Sequence, residues 1–378
     1  MVDSQDPYAE RLRALRAEPS RDVAGDPARL RRVGFTRDEM AGQGAAIRTT
    51  LDAEAPALSA LAARIRNRSL DHIAIAGCGD SWFVGMGVRH ALELLTGRPC
   101  LAVQALDFAA YDHCGTGPNG LVLGLSAGGN TPAVMAALRM ARARGAMTVG
   151  LSNTAGSAIL SEFDGGLRVH ATRRGWPTQS STAAMALLVK LGLAIAPPSL
   201  QHTQIAAALA EAPALADATL AQCDGAAAQA ARAIADATTV FFAGAGPHYA
   251  TACFAAAKLR ELSPVHAAAF PLEELHHYRL PKAGDALFVV APDAASRERA
   301  LDTALVGAAE GARVYALLSA PDHEIEARVA GTIQVPPVAA SLAAIVHAPA
   351  IHALAYHFAM ARDALGLGYS EHRAEVRT

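Results

Sequence analysis

Ile73-Ala74-Ile75-Ala76-Gly77-Cys78-Gly79 is a short apolar run ending in Gly-x-Gly, and Val240-Phe241-Phe242-Ala243-Gly244-Ala245-Gly246 repeats it 167 residues later. Each copy leads into an alanine-rich stretch of helical composition. An apolar run closed by glycine reads as a buried strand, and the stretch after it as the helix of a strand–turn–helix unit. Outward from this pair, Gly120–Ser126 is matched by Ala286–Pro292 and Gly145–Ser152 by Gly311–Leu318, both at an offset of 166. Apolar helical stretches follow near Ala183–Ala196 and Ala348–Ala361. Four elements at nearly one offset point to an internal repeat. Strands alternating with helices give an α/β class: two tandem parallel-sheet α/β/α sandwiches with a helical N-terminal extension. In such sheets ligands bind beyond the carboxyl ends of the strands, where the glycine turns lie.

The expected boundaries follow. Residues 1–45, rich in Arg, Asp and Glu, read as a helical arm, with a long helix from Thr36 towards Arg66. The first unit covers 46–200, a helical connector 201–234 with Pro213 inside it, and the second unit 235–378. The 378 residues exceed one ordinary core and suit two domains. With 52% hydrophobic and 18% charged residues the composition is globular. A net charge of −2 offers no general attraction to nucleic acid or to an anionic membrane. The first sixteen residues contain no apolar run resembling a signal peptide, and no stretch reaches the ~20 uninterrupted apolar residues of a membrane span, so a cytoplasmic location is expected. The five cysteines (Cys78, Cys100, Cys114, Cys223 and Cys253) are scattered without a C-x-x-C pair, which argues against a disulfide framework or a zinc site.

Three hydroxyl-bearing turns carry the chemistry of the first unit. Gly77-Cys78-Gly79-Asp80-Ser81 joins a strand to a helix, where glycines admit a ligand and free amides suit an anion. A dinucleotide fingerprint would place a third glycine near Trp82; Asp107 imitates the ribose-binding acid, so a nicotinamide-dependent enzyme stays a distant alternative. Ser126-Ala127-Gly128-Gly129-Asn130-Thr131 suits a phosphate at a helix N-terminus, although Asn130 or Thr131 also reads as a plain helix cap. Ser180-Ser181-Thr182 precedes the apolar helix. In the second unit Pro264 ends a helix and puts Glu261 in its last turn, facing the negative end of the helix dipole, which nudges a carboxyl pKa upward. Locally Glu261 reads equally as an ion pair with Lys258 or Arg260.

The repeat, the Gly77–Ser81 turn, Lys258-Leu259-Arg260-Glu261-Leu262-Ser263 and Glu274-Leu275-His276-His277 together resemble the double sugar-isomerase (SIS) domain family. That family includes the isomerase half of glutamine:fructose-6-phosphate amidotransferase, deglycases of fructosyl-amine phosphates and amino-sugar phosphate deaminases. The resemblance runs from about residue 45 to the C-terminus. It implies sugar contacts at Cys78, Gly79, Asp80 and Ser81, a phosphate loop at Ser126, Gly128, Gly129, Asn130 and Thr131, and a polar turn at Ser181 and Thr182. It makes Glu261 the proton shuttle, Lys258 a lysine lining the pocket, and His277 the ring-opening histidine, supplied by the partner subunit of a homodimer.

Three departures stand out. Gly128 replaces a serine of the usual loop and Ala127 a common glutamine, so a non-phosphorylated sugar becomes thinkable. The sequence carries no glutaminase half, which speaks against glutamine-dependent synthesis. The family's catalytic lysine near the terminus has no counterpart in the tail, where Arg373 lies nearest, and an arginine stays protonated. The resemblance thus implies an aldose–ketose isomerase, deaminase or deglycase acting on an amino sugar (phosphate) or sugar–amine conjugate without a cofactor. The alternative is a non-catalytic sugar-phosphate-binding regulatory module. In the second unit Ala291-Pro292-Asp293-Ala294 stands where the phosphate loop would be.

Overall fold

The structure is a computed structural model that describes residues 27–111, 116–290 and 293–367. Arg373, Cys114 and residues 291–292 lie outside the described residues. The described residues open with two helices, α1 (Pro27–Ala41) and α2 (Gln43–Arg66). The first sheet is built from β1 (His72–Gly77), β2 (Cys100–Gln104), β3 (Gly120–Leu125), β4 (Met147–Ser152) and β5 (Gly165–Arg168). Between its strands run α3 (Asp80–Thr96), α4 (Ala105–Tyr111), α5 (Pro132–Ala143) and α6 (Ala158–Ser161), and α7 (Gln179–Ile195) follows. A long helix, α8 (Leu200–Ala233), leads to the second sheet of β6 (Thr239–Gly244), β7 (His266–Pro271), β8 (Ala286–Val290), β9 (Arg313–Leu318) and β10 (Gly331–Gln334). Its helices are α9 (Pro247–Leu262), α10 (Leu272–Tyr278), α11 (Arg297–Ala309), α12 (His323–Glu326) and α13 (Ala343–Ala364).

Both sheets are wholly parallel. The first has the order β2-β1-β3-β4-β5 and the second, from its other edge, β7-β6-β8-β9-β10. Strands β1, β3, β4 and β8 are buried almost end to end, which is why they read in the sequence as unbroken apolar runs. The four-residue edge strands β5 and β10 are half-exposed and carry no such run, and edge strand β7 is half-exposed although Ala267–Phe270 is apolar. Helices α3 and α9 pack on each other between the sheets, and α13 packs along α8 and α9. Ala250, Phe254, Leu342 and Ile345 of the second sheet's helices continue the hydrophobic core of the first, so the sheets share one interior.

Three details add to the sequence reading. The expected helix from Thr36 to Arg66 is two helices parted at Gly42, where a Cβ would stand 2.7 Å from Gln179 Oε1. Helix α8 runs unbroken through Pro213, beside which Gly44 of α2 donates its amide to Asp217 at 3.0 Å. Ala340–Ala364, interrupted by His347 and His352, holds no run of ~20 uninterrupted apolar residues, but by length and composition alone it is apolar enough to cross a membrane. Its most apolar window is 89% buried, so its apolar side chains are matched by the protein's own interior.

Candidate active site

Gly79 takes φ +54°, a value that disfavours any side chain, and so turns the chain sharply from β1 into α3. The turn places Cys78, Asp80 and Ser81 at the tip of the first sheet, beside the loop after β3 and the start of α7. Together they enclose a cavity of about 320 Å³. Of the residues the sequence singled out, Cys78, Gly79, Asp80, Ser81, Ser126, Gly128, Thr131, Ser181 and Glu261 line it. Gly129, Asn130 and Thr182 do not. Gly129 has φ +79°, and a Cβ there would strike Ser157 at 2.2 Å, so its part is to shape the loop. Thr182 is fully buried, its hydroxyl donated to the Gln179 carbonyl at 3.3 Å.

The loop is braced from within. Ser126 Oγ accepts the amides of Gly129 (3.0 Å) and Thr131 (3.2 Å) and bonds the Thr131 hydroxyl at 2.8 Å. Ser180, from the third hydroxyl-bearing turn, lines the cavity as well, and so do Ser152, Asn153 and Arg173, which the sequence reading passed over. Ser152 and Asn153 had a legible signal, since they follow a strand in the same way as Ser126.

Glu261 reaches this cavity from the second sheet's side, in the last turn of α9. Lys258, one turn earlier, is completely buried. Its Nζ donates to Asp80 Oδ2 at 2.6 Å and to Glu261 Oε2, so one ammonium joins a carboxylate from α3 to one from α9. Burial pulls the Lys258 ammonium down, but the two carboxylates outweigh it and hold the pKa above its ordinary range. Burial raises the Glu261 carboxyl, and the opposing pull of Lys258 does not cancel the rise. The side chain keeps 32% of its surface exposed, so a carboxyl of raised pKa still has an open face. The local ion pair with Lys258 is therefore real, and it stands at the cavity wall.

His277 lies on α10 with 63% of its side chain exposed, 3.5 Å from Glu273, and does not line the cavity of its own chain. Trp82, at the third-glycine position, donates its indole N–H to the Ala102 carbonyl at 3.2 Å, packing α3 onto β2. A larger cavity of about 500 Å³ lies between the units, with Trp82, Arg89, Tyr249 and Arg299 among its walls. Arg299 there is paired with Glu273 at 2.8 Å, and the Ser296 amide is taken by Asp293 at 3.0 Å. The smaller cavity, where hydroxyls and a carboxyl of raised pKa converge, is the better candidate for chemistry.

Residues 68–194 match the family model of the SIS domain. The glutamine–fructose-6-phosphate aminotransferase (isomerizing) of Bordetella parapertussis is 30% identical over 308 residues, 78% of this chain and 50% of the relative. The chain thus spans about half the length of the curated relatives it matches. Among solved structures, the C-terminal domain of glucosamine-fructose-6-phosphate aminotransferase from Francisella tularensis superposes with a TM-score of 0.73 at 21% identity, covering 87% of this chain and 96% of that one. A glucosamine-6-phosphate deaminase from Thermotoga maritima gives 0.68 at 17% identity, covering 89% and 96%. These likenesses show a common fold, and the stretch from β1 to α7 carries a SIS domain.

Proposed function

We propose that the protein is an aldose–ketose-type isomerase that deaminates an amino sugar (phosphate) or cleaves a sugar–amine conjugate. The observation that carries this reading is Glu261, a carboxyl of raised pKa held by buried Lys258 at the wall of a hydroxyl-lined cavity. A general base for carbon acids works best with its pKa drawn towards the operating pH.

The chemistry has two stages. First, a neutral imidazole takes the anomeric hydroxyl proton and returns it to the ring oxygen, breaking the ring C–O bond. His277 is the group suited to this; it is exposed on its own chain, beside Tyr278 with 67% exposure, as a residue offered to a second copy would be. A homodimer is therefore part of the proposal. Second, Glu261 removes the proton from C2 of a 2-amino aldose and delivers it to C1. The enolamine becomes an imine at C2, which water hydrolyses to ketose and ammonia. For a 1-amino ketose conjugate the proton moves from C1 to C2, and hydrolysis of the C1 imine releases aldose and amine. Each route conserves the proton on Glu261.

The test supplies glucosamine 6-phosphate and fructosyl-amine phosphates in deuterated water, measuring released amine and deuterium at C1 or C2. Amine release with solvent exchange, both lost in Glu261→Gln, is the expected result. Unchanged rates in that variant would remove Glu261 from the mechanism.

A further inference from the structure

The loop meant to hold an anion spends much of its polarity on itself. The Ser126 hydroxyl and the amides of Gly129 and Thr131 satisfy one another, leaving the Ala127, Gly128 and Asn130 amides without an acceptor among the described residues. Gly128 has no positive φ, and the nearest atom to a Cβ there is 3.5 Å away, so a hydroxyl side chain would fit but is not present.

Across the cavity stands Arg173. Its guanidinium has no hydrogen bond or ion pair among the described residues, whereas its neighbours are engaged. Arg174 lies 3.9 Å over the Phe35 ring, and Arg32 lies 4.2 Å over the ring of Trp176.

The segment bearing Arg173 is fixed by α1. Buried Glu39 accepts the Thr172 hydroxyl and the Arg174 amide, both at 2.7 Å, on one oxygen and the Gly175 amide at 3.0 Å on the other. Thr36 Oγ1 accepts the Trp176 amide at 3.0 Å. Residues 172, 174, 175 and 176 are all tied to one helix, and only the side chain of Arg173 is left to reach into the cavity. A guanidinium on a fixed backbone loses little freedom on gripping a planar or tetrahedral anion.

We infer that Arg173 is the specificity-determining cation of this cavity, gripping an anionic group on the sugar or on its amine substituent, and that Glu39 on α1 is its positioning residue. The inference rests on the functional reading above and names its substrate class. The anion is a phosphate ester or the carboxylate of an amino acid joined to the sugar, and the experiment separates the two.

Calorimetric binding of glucosamine 6-phosphate, glucosamine and a fructosyl amino acid is measured for wild type, Arg173→Ala, Arg173→Lys and Glu39→Gln. Arg173→Ala weakens the ligand bearing the recognised anion by about tenfold or more while leaving glucosamine unchanged, and Arg173→Lys falls between. Loss on glucosamine 6-phosphate identifies the phosphate, and loss on the fructosyl amino acid the carboxylate. Glu39→Gln reproduces the same ligand-selective loss; a merely structural role would weaken charged and neutral ligands alike. If Arg173→Ala binds both anionic ligands as wild type does, the inference is overturned and the isomerase reading stands. If wild type binds none of the three, both are overturned.

Discussion

The two sheet tips begin alike and end differently. Gly79 and Gly246 have nearly the same backbone angles, φ +54° and ψ −130° against φ +53° and ψ −129°, and each launches a helix between the sheets. At the first tip Asp80 and Ser81 follow, and the space beyond is open. At the second tip Pro247 and His248 follow, and His248 is buried against His347, ring centres 6.0 Å apart. The loop there is closed by its own carboxylate: Asp293 Oδ1 accepts the Ala295 amide at 3.1 Å, the Ser296 amide at 3.0 Å and the Ser296 hydroxyl at 2.9 Å. Where the first loop keeps donors facing a cavity, the second has supplied its own anion. The same turn thus opens on two unlike cavities, one lined by hydroxyls and a carboxyl, the other walled by groups already paired within the loop, depending on the few side chains placed just after it.

The largest effect in this comparison concerns the catalytic contribution of the second unit to the first tip. Glu261→Gln lowers turnover by about 10²–10⁴-fold, the usual worth of a general base, with substrate binding retained; a stopped assay of amine release checks it. Lys258→Met removes the ammonium shared by Asp80 and Glu261 and leaves two facing carboxylates in a buried place. A loss of about 3–5 kcal/mol in a denaturant titration is expected.

Two buried histidines of α13 have a signature in pH. Burial pushes His347 down to about 4, and His352, which bonds Gln43 at 3.1 Å, down to about 3. Between those values and the ordinary 6.5 of an unfolded imidazole, the unfolded chain binds more protons than the folded one. Stability is thus fully present above pH 6.5 and falls as the pH drops towards 4 and 3, by roughly 3 kcal/mol for His347 at pH 4. Thermal melts from pH 7 to pH 4 check this, and His347→Asn, which cannot take up the proton, flattens the slope. Smaller effects come from the loops. Gly128→Ser adds a hydroxyl where there is room and tightens binding of an anionic ligand by about 0.5–1.5 kcal/mol, read by calorimetry. Asp293→Ala removes the built-in cap and costs about 1 kcal/mol in a chemical melt, without changing turnover at the first tip.

Local features were legible in the sequence. Buried parallel strands such as Ile73–Ala76 are apolar without interruption, glycine marks the turns, and Pro264 correctly put Glu261 in a last helical turn. Features that depend on distant partners were not. The Lys258–Asp80 pair joins residues 178 positions apart, and the Glu39 contacts with residues 172–175 span 133 to 136. Asp80 and Lys258 each lie in a motif, but neither motif pairs them with the other; Glu39 lies in none, and a charged residue there looks like an exposed one until the fold buries it. Arg173 escaped notice for the same reason, since what distinguishes it from Arg174 is the absence of a partner. Pro213 was read as lying inside a helical connector, and α8 does run through it, with α2 packed alongside.

The shared ammonium has a consequence for heredity. Asp80 belongs to the first half of the chain and Lys258 with Glu261 to the second, so neither half can drift at these positions without the other. A chimera that joins the first half of one relative to the second half of another inherits a balanced cluster only if both parents divide three charges in the same way. Recombination at the long helix between the sheets, structurally the natural seam, is therefore constrained by a charge count made far from the point of joining.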